Sequence, residues 1–143
     1  MQISLHFLKP VTIRQKIKLK HFILMIFKSE KKICSSLNII FCSDEKLLGI
    51  NKQFLQHDYF TDIITFNLAE KYSKNIEGEI YISIDRVRDN YIIYGTSLEQ
   101  ELHRVIFHGV LHLCGYRDDT KLTKVKMILK ENFYLKRYNP SNN

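Results

Sequence analysis

Hydrophobic and polar positions along the chain follow two periods, one of two residues and one of about 3.6. Residues 2–8 alternate, with Ile3, Leu5 and Phe7 on one face, and predict a half-buried strand. Thr12 with Gln15 three residues on fits a capping box, and Ile13, Ile17, Leu24 and Phe27 fall on or near one stripe, predicting a helix over about 12–28. A second strand is expected over 36–42, followed by a helix over about 44–56, capped by Ser43 or Asp44, with Leu47, Leu48, Ile50, Phe54 and Leu55 as its apolar residues. Residues 61–68 predict a third strand with Ile64, Phe66 and Leu68 on one face. After a polar loop at 70–75 comes a fourth strand, over 78–84, where Ile80, Ile82 and Ile84 alternate with polar neighbours. Three helices complete the pattern. One runs from Asp85 to about Tyr94 and is closed by Gly95. The next starts at Ser97, with Gln100 as its capping-box partner, and stops at Gly115. The last covers about 120–136. The fold class this predicts is α+β: a single domain over 1–137, with a small, mainly four-stranded mixed sheet packed with about five helices, and a frayed tail over 138–143.

Length and composition narrow the picture. A chain of 143 residues can bury roughly 68–70% of its unfolded surface and needs no disulfides. Five Gly and two Pro exclude collagen-like and linker-rich classes. The longest apolar run, Phe22–Phe27, is far short of the about 20 residues that span a bilayer, and the charged residues after it do not resemble a cleavage site. The expectation is a soluble cytoplasmic protein without a membrane partner. Cys34, Cys42 and Cys114 are odd in number and share no CxxC spacing, so they are expected reduced and mostly buried, with Cys114 in the core rather than a ligand.

Charge is unevenly placed. Residues 1–43 carry eight Lys/Arg against Glu30 alone, and residues 120–143 carry six against one acid. The middle of the chain, with thirteen acids and eight bases, is acidic. Basic ends of this kind suit a polyanion such as RNA, although solvated helix faces produce the same pattern.

The chemistry concentrates in His108-Gly-Val-Leu-His112. Residues four apart on a helix project about 40° apart in rotation and about 6 Å apart along the axis, a separation at which two imidazoles can chelate one metal ion. After the stop at Gly115 the chain brings Asp118 and Asp119 back towards the end of the same helix. Two histidines and one carboxylate oxygen would leave a fourth position for water, as in catalytic zinc sites. Gly109 stands where zinc peptidases of the HExxH type carry their glutamate, which argues against that activity.

The stretch His108-Gly-Val-Leu-His-Leu-Cys-Gly-Tyr116 closely resembles the signature of the YbeY family, bacterial rRNA maturation factors regarded as metal-dependent endoribonucleases. Asn51 with Phe54, Asp58, Thr61-Asp-Ile-Ile-Thr-Phe66, Gly78-Glu-Ile-Tyr-Ile-Ser83 and Met127 extend the resemblance over most of the chain. It implies a single-strand-specific endoribonuclease that matures the 3′ end of 16S rRNA and serves ribosome biogenesis and quality control. Its site would be His108, His112 and Asp118, holding one divalent ion, zinc first and iron(II) or manganese next, and acting through metal-bound water. The implied partners are single-stranded rRNA, the small ribosomal subunit, and ribosomal proteins or a GTPase. Asp118 occupies the place of the family's third histidine, with Asp119 as its rival. Leu55 aligns with a family arginine, and Gln56 and His57 beside it are candidates to replace that contact. Arg104, Glu101 and Asp62 are candidates for the surroundings of the metal or for substrate contact. The alternative is a ribosome-associated RNA-binding factor whose metal is mainly structural.

Overall fold

The computed structural model describes residues 2–71 and 73–140. Along the chain run β1 (Ile3–Phe7), α1 (Lys16–Ser29), β2 (Ile33–Cys42), α2 (Asp44–Leu55), β3 (Ile63–Asn67), β4 (Asn75–Ser83), α3 (Ile84–Ile93), α4 (Leu98–Leu113) and α5 (Lys121–Tyr138). The strands form one mixed sheet in the order β1-β2-β4-β3. β1, β2 and β4 are parallel, and β3 runs antiparallel against β4. Alternate residues of each strand face two layers. Leu37, Ile39 and Phe41 of β2 with Ile76, Ile80 and Ile82 of β4 enter the main core, which α1, α4 and α5 complete through residues such as Ile23, Phe107 and Tyr134. On the opposite face α2 closes a smaller cluster of Cys42, Leu47, Ile50 and Ile64. The elements are thus those of an α+β fold with five helices and a four-stranded mixed sheet. Among the described residues no helix is long and apolar enough to cross a membrane.

Several boundaries differ from expectation. α1 begins at Lys16 after a left-handed Gln15 (φ 53°) without a side-chain cap, so the Thr12–Gln15 capping box does not form. Val11, Thr12 and Ile13 form a β-branched run, which lowers helix propensity, and Ile13 is buried from a non-helical segment. The buried stripe of α1 is Leu19, Ile23, Ile26 and Phe27, while Ile17 is exposed. Leu68 lies beyond β3 and is exposed. Ile84 starts α3 instead of ending β4, because Ser83 turns the chain and accepts from Arg86 N as N-cap. α5 extends to Tyr138, whose ring is buried. The rest of the expected tail is described only to Pro140, and residues 141–143 lie outside the described residues. Cys34 and Cys42 are buried and Cys114 half-buried, all unpaired. Burial pushes their thiols up, to about 11 for Cys34 and Cys42 and about 12 for Cys114.

Gly109 sets the approach of α4 to the sheet. A β-carbon there would stand 2.8 Å from Ile63 Cδ1 and 3.0 Å from Ile80 Cδ1. The glycine therefore serves close packing of the helix that carries both histidines. Gly109→Ala is expected to cost about 1–3 kcal/mol by overpacking, read as a lower urea midpoint at unchanged m-value.

Candidate metal centre

α4 starts at Ser97, whose hydroxyl accepts from Gln100 N, and places Leu102, Val105, Ile106, Phe107, Val110 and Leu111 in the core. His108 and His112 emerge on its remaining face, half-buried. The helix ends in a Schellman arrangement: Gly115 N donates to His112 O and Tyr116 N to Leu111 O, both at 3.0 Å, with Gly115 at φ 106°. Tyr116 is fixed in turn, because its hydroxyl donates to Glu30 Oε1 at 2.7 Å. Glu30 also accepts from Tyr134 and pairs with Lys130 at 3.2 Å. Burial opposes ionisation of Glu30, but the bonds from Tyr134, Tyr116 and Lys130 outweigh it and hold its pKa below the ordinary value. The chain after α4 is thereby locked to α1 and α5, and Asp118 is brought back over the histidines.

Three ligand atoms converge. His108 Nε2 and His112 Nε2 are 3.0 Å apart, and Asp118 Oδ2 is 3.3 Å from each. The edge of a zinc tetrahedron, from Zn–N and Zn–O lengths of about 2.0–2.2 Å, is roughly 3.3 Å, so the triangle matches one face of such a polyhedron. The other ring nitrogens are already engaged. His112 Nδ1 lies 2.9 Å from Tyr116 O, which can only accept, and His108 Nδ1 lies 2.6 Å from Glu131 Oε2. With both Nδ1 atoms donating, rings that carry no second proton turn their Nε2 lone pairs onto each other and onto a carboxylate. Three converging acceptors without a donor fit a cation. Asp119 is not part of this group; it pairs with Arg117 and accepts from Thr123.

Glu131 was not among the residues anticipated from sequence, yet it is buried and joins two of them. Its Oε1 accepts from Arg104 Nη1 at 3.0 Å while Oε2 meets His108. Burial disfavours the His108 cation, but the bond to Glu131 and the charges of Glu131, Asp118 and Asp62 outweigh it and raise the His108 pKa. The signal for Glu131 lay in the apolar stripe of α5, where it stands in line with buried Met127, Tyr134 and Tyr138.

A cleft of about 330 Å³ opens onto the triangle, lined among others by Asp62, His57, Tyr59 and Leu55. Burial raises the Asp62 pKa against the lowering effect of His108. The His57 ring stacks on Tyr59, centroids 5.1 Å apart. Leu55, which stands where the family resemblance places an arginine, presents an apolar wall to the cleft. Gln56 does not line this cleft: it is the left-handed C-cap of α2 and is exposed. Arg104 and Glu101 do not line it either. They lie beyond Glu131 in a neighbouring cleft.

Burial pushes the Glu101 carboxyl up to about 7, against the pull of Arg104. A carboxyl whose folded pKa exceeds its unfolded value holds more protons when folded, so it lowers stability as pH rises from about 4.5 through about 7. The shift corresponds to about 3 kcal/mol. Glu101→Gln is expected to recover most of this above neutral pH and to leave stability near pH 4 unchanged, measured by urea unfolding at both ends.

The family model described as endoribonuclease YbeY matches residues 9–139. The protein named endoribonuclease YbeY in Cytophaga hutchinsonii is 50% identical over 119 residues, covering 83% of this chain and 82% of its own. The one of that name in Flavobacterium psychrophilum is 39% identical over 141 residues, covering 99% of both chains. The solution structure of a Thermotoga maritima protein aligns with a TM-score of 0.62 at 28% identity, covering 98% of this chain and 96% of that one.

Proposed function

The chain belongs to the YbeY endoribonuclease family, and from that premise we propose that it is a metal-dependent, single-strand-specific endoribonuclease that holds its ion through His108, His112 and Asp118. The observation that carries this reading is the 3.0–3.3 Å triangle of acceptors, open to a cleft with stacked aromatic residues. Zinc suits two imidazoles and one carboxylate. When bound, such an ion supplies Lewis acidity and a water whose pKa falls to about 7.

The chain's own residues do the positioning. Glu131 and the Tyr116 carbonyl hold the two imidazoles in the tautomer that turns Nε2 outward. Asp62 adds negative charge beside His108, which favours a cation. Tyr59, its ring stacked on His57 and exposed, offers an aromatic face to an unpaired base. Its neighbour Leu55 makes no charge-assisted bond to phosphate, so anchoring of the backbone falls to basic groups outside this wall. The proposed substrate is rRNA, with maturation of the 3′ end of 16S rRNA on the small ribosomal subunit in the cytoplasm as its place of action; ribosomal proteins or a GTPase are the proposed companions.

Incubation with labelled single-stranded and duplex RNA tests the activity. Cleavage is expected of the single strand alone, lost after chelation and restored by about one equivalent of zinc. Cleavage insensitive to chelation would overturn the metal-dependent reading.

A further inference from the structure

The second cleft is larger than the first, about 630 Å³, and nothing described so far uses it. It lies beyond Glu131, whose two carboxylate oxygens face opposite ways: Oε2 meets His108 and Oε1 meets Arg104. One carboxylate therefore separates this cleft from the metal centre. A strand whose scissile phosphate sits at the metal would bring a neighbouring nucleotide to it.

Its polar groups are specific. Glu101 is only 3% exposed, lines the cleft, and its carboxylate accepts no hydrogen bond among the described residues. Thr96 Oγ1 is buried and likewise without a partner. A donor that enters the cleft meets a carboxylate to which none of the described residues donates. Arg104 is already committed, to Glu131 at 3.0 Å and to Asn132 at 2.9 Å. The occupant is thus not an anion, because the open charge is negative and the cation is engaged. It is not a chelated metal either, because among the described residues Glu101 belongs to no group of three ligands. What remains is a group that donates, and in a bound RNA strand, whose bases are uncharged, that is a neutral group presenting two adjacent donors. The rim supplies flat apolar contact from the Tyr94 ring and Ile128, 65% and 51% exposed.

We propose that this cleft is a guanine subsite of the RNA-binding surface, with the Glu101 carboxylate accepting from guanine N1–H and N2–H. This rests on the RNA reading above and adds a base preference to it. Guanine is the one common base with adjacent imino and amino donors on its Watson–Crick edge. Adenine and cytosine set a ring-nitrogen lone pair beside the amino group, and uracil flanks its imino group with carbonyl oxygens. Each of these would face the carboxylate with an acceptor.

The test compares single-stranded pentaribonucleotides carrying one guanosine, inosine or adenosine at the central position, titrated with the wild-type protein and Glu101→Gln at about pH 8.5. Inosine lacks only the N2 amino group. Wild type is expected to bind the guanosine strand roughly tenfold more tightly than the inosine strand, the discrimination one bidentate pair provides. Glu101→Gln, with one donor and one acceptor, is expected to lose that preference and gain affinity for adenosine. In parallel, guanosine monophosphate is expected to shift the amide resonances of Thr96 and Gln100, and inosine monophosphate much less. Equal affinity for guanosine and inosine strands, in a protein that still cleaves single-stranded RNA, would overturn the subsite and leave the endoribonuclease standing. Failure of wild type to bind or cleave any of the strands would overturn both.

Discussion

Replacing His112 by alanine is expected to abolish metal binding and RNA cleavage while leaving the fold intact. The ring contributes one of three ligand atoms, 3.0 Å from His108 Nε2 and 3.3 Å from Asp118 Oδ2. Two ligands four residues apart on one helix form the rigid half of the chelate; His108 and Asp118 alone do not. The affinity should fall by more than the about 10–100-fold that loss of an outer-sphere partner costs, and cleavage should fall below detection. The side chain is half-buried and its one other bond, to Tyr116 O, sits at a helix end. Its removal should change metal-free stability by only about 1 kcal/mol. Zinc competition, single-turnover cleavage and urea unfolding read the three quantities separately. A variant that cleaves RNA at the wild-type rate would remove the metal from the mechanism.

The second large effect is expected from Glu131→Gln, which preserves shape and removes charge. The carboxylate serves two donors, Arg104 Nη1 and His108 Nδ1. An amide has one acceptor oxygen and a donor group in place of the other. One of the two partners must then face N–H against N–H, or His108 must flip tautomer and turn a hydrogen towards the metal. Affinity for zinc should fall about 10–100-fold, and stability by about 1–3 kcal/mol for the buried bond left unmade. Nitrogen chemical shifts of the His108 ring report the tautomer directly, a readout that a merely structural role for Glu131 would not move. Wild-type affinity in this variant would show that His108 is oriented by something else.

The chemistry was easier to read from the chain than the layout around it. The His108–His112 spacing is a local property of one helix, and the αL stop at Gly115 is a local property of a glycine, so both carry over directly into the structure. The start of α1 depended on competition between a capping pattern at Thr12 and the pull of Ile13 into the core, which only tertiary contact decides. Gln56 and His57 are adjacent in sequence, but the left-handed turn at Gln56 separates them, and only His57 lines the cleft. Arg104 and Glu101 stand four and seven residues before His108 on α4 and so share its helix face. Periodicity says nothing of α5, which crosses that face and inserts Glu131 between them and the metal centre. Glu131 itself looked like one acid in a lysine-rich helix; its alignment with Met127, Tyr134 and Tyr138 is what marks it as buried.

Metal content, measured on protein purified without chelators or nickel resin, bears most directly on the whole account. About one divalent ion per wild-type chain is expected, with essentially none in His112→Ala purified alongside. Wild-type protein that carries no ion and takes up none from a stoichiometric zinc solution, or a variant that carries as much as wild type, would contradict it.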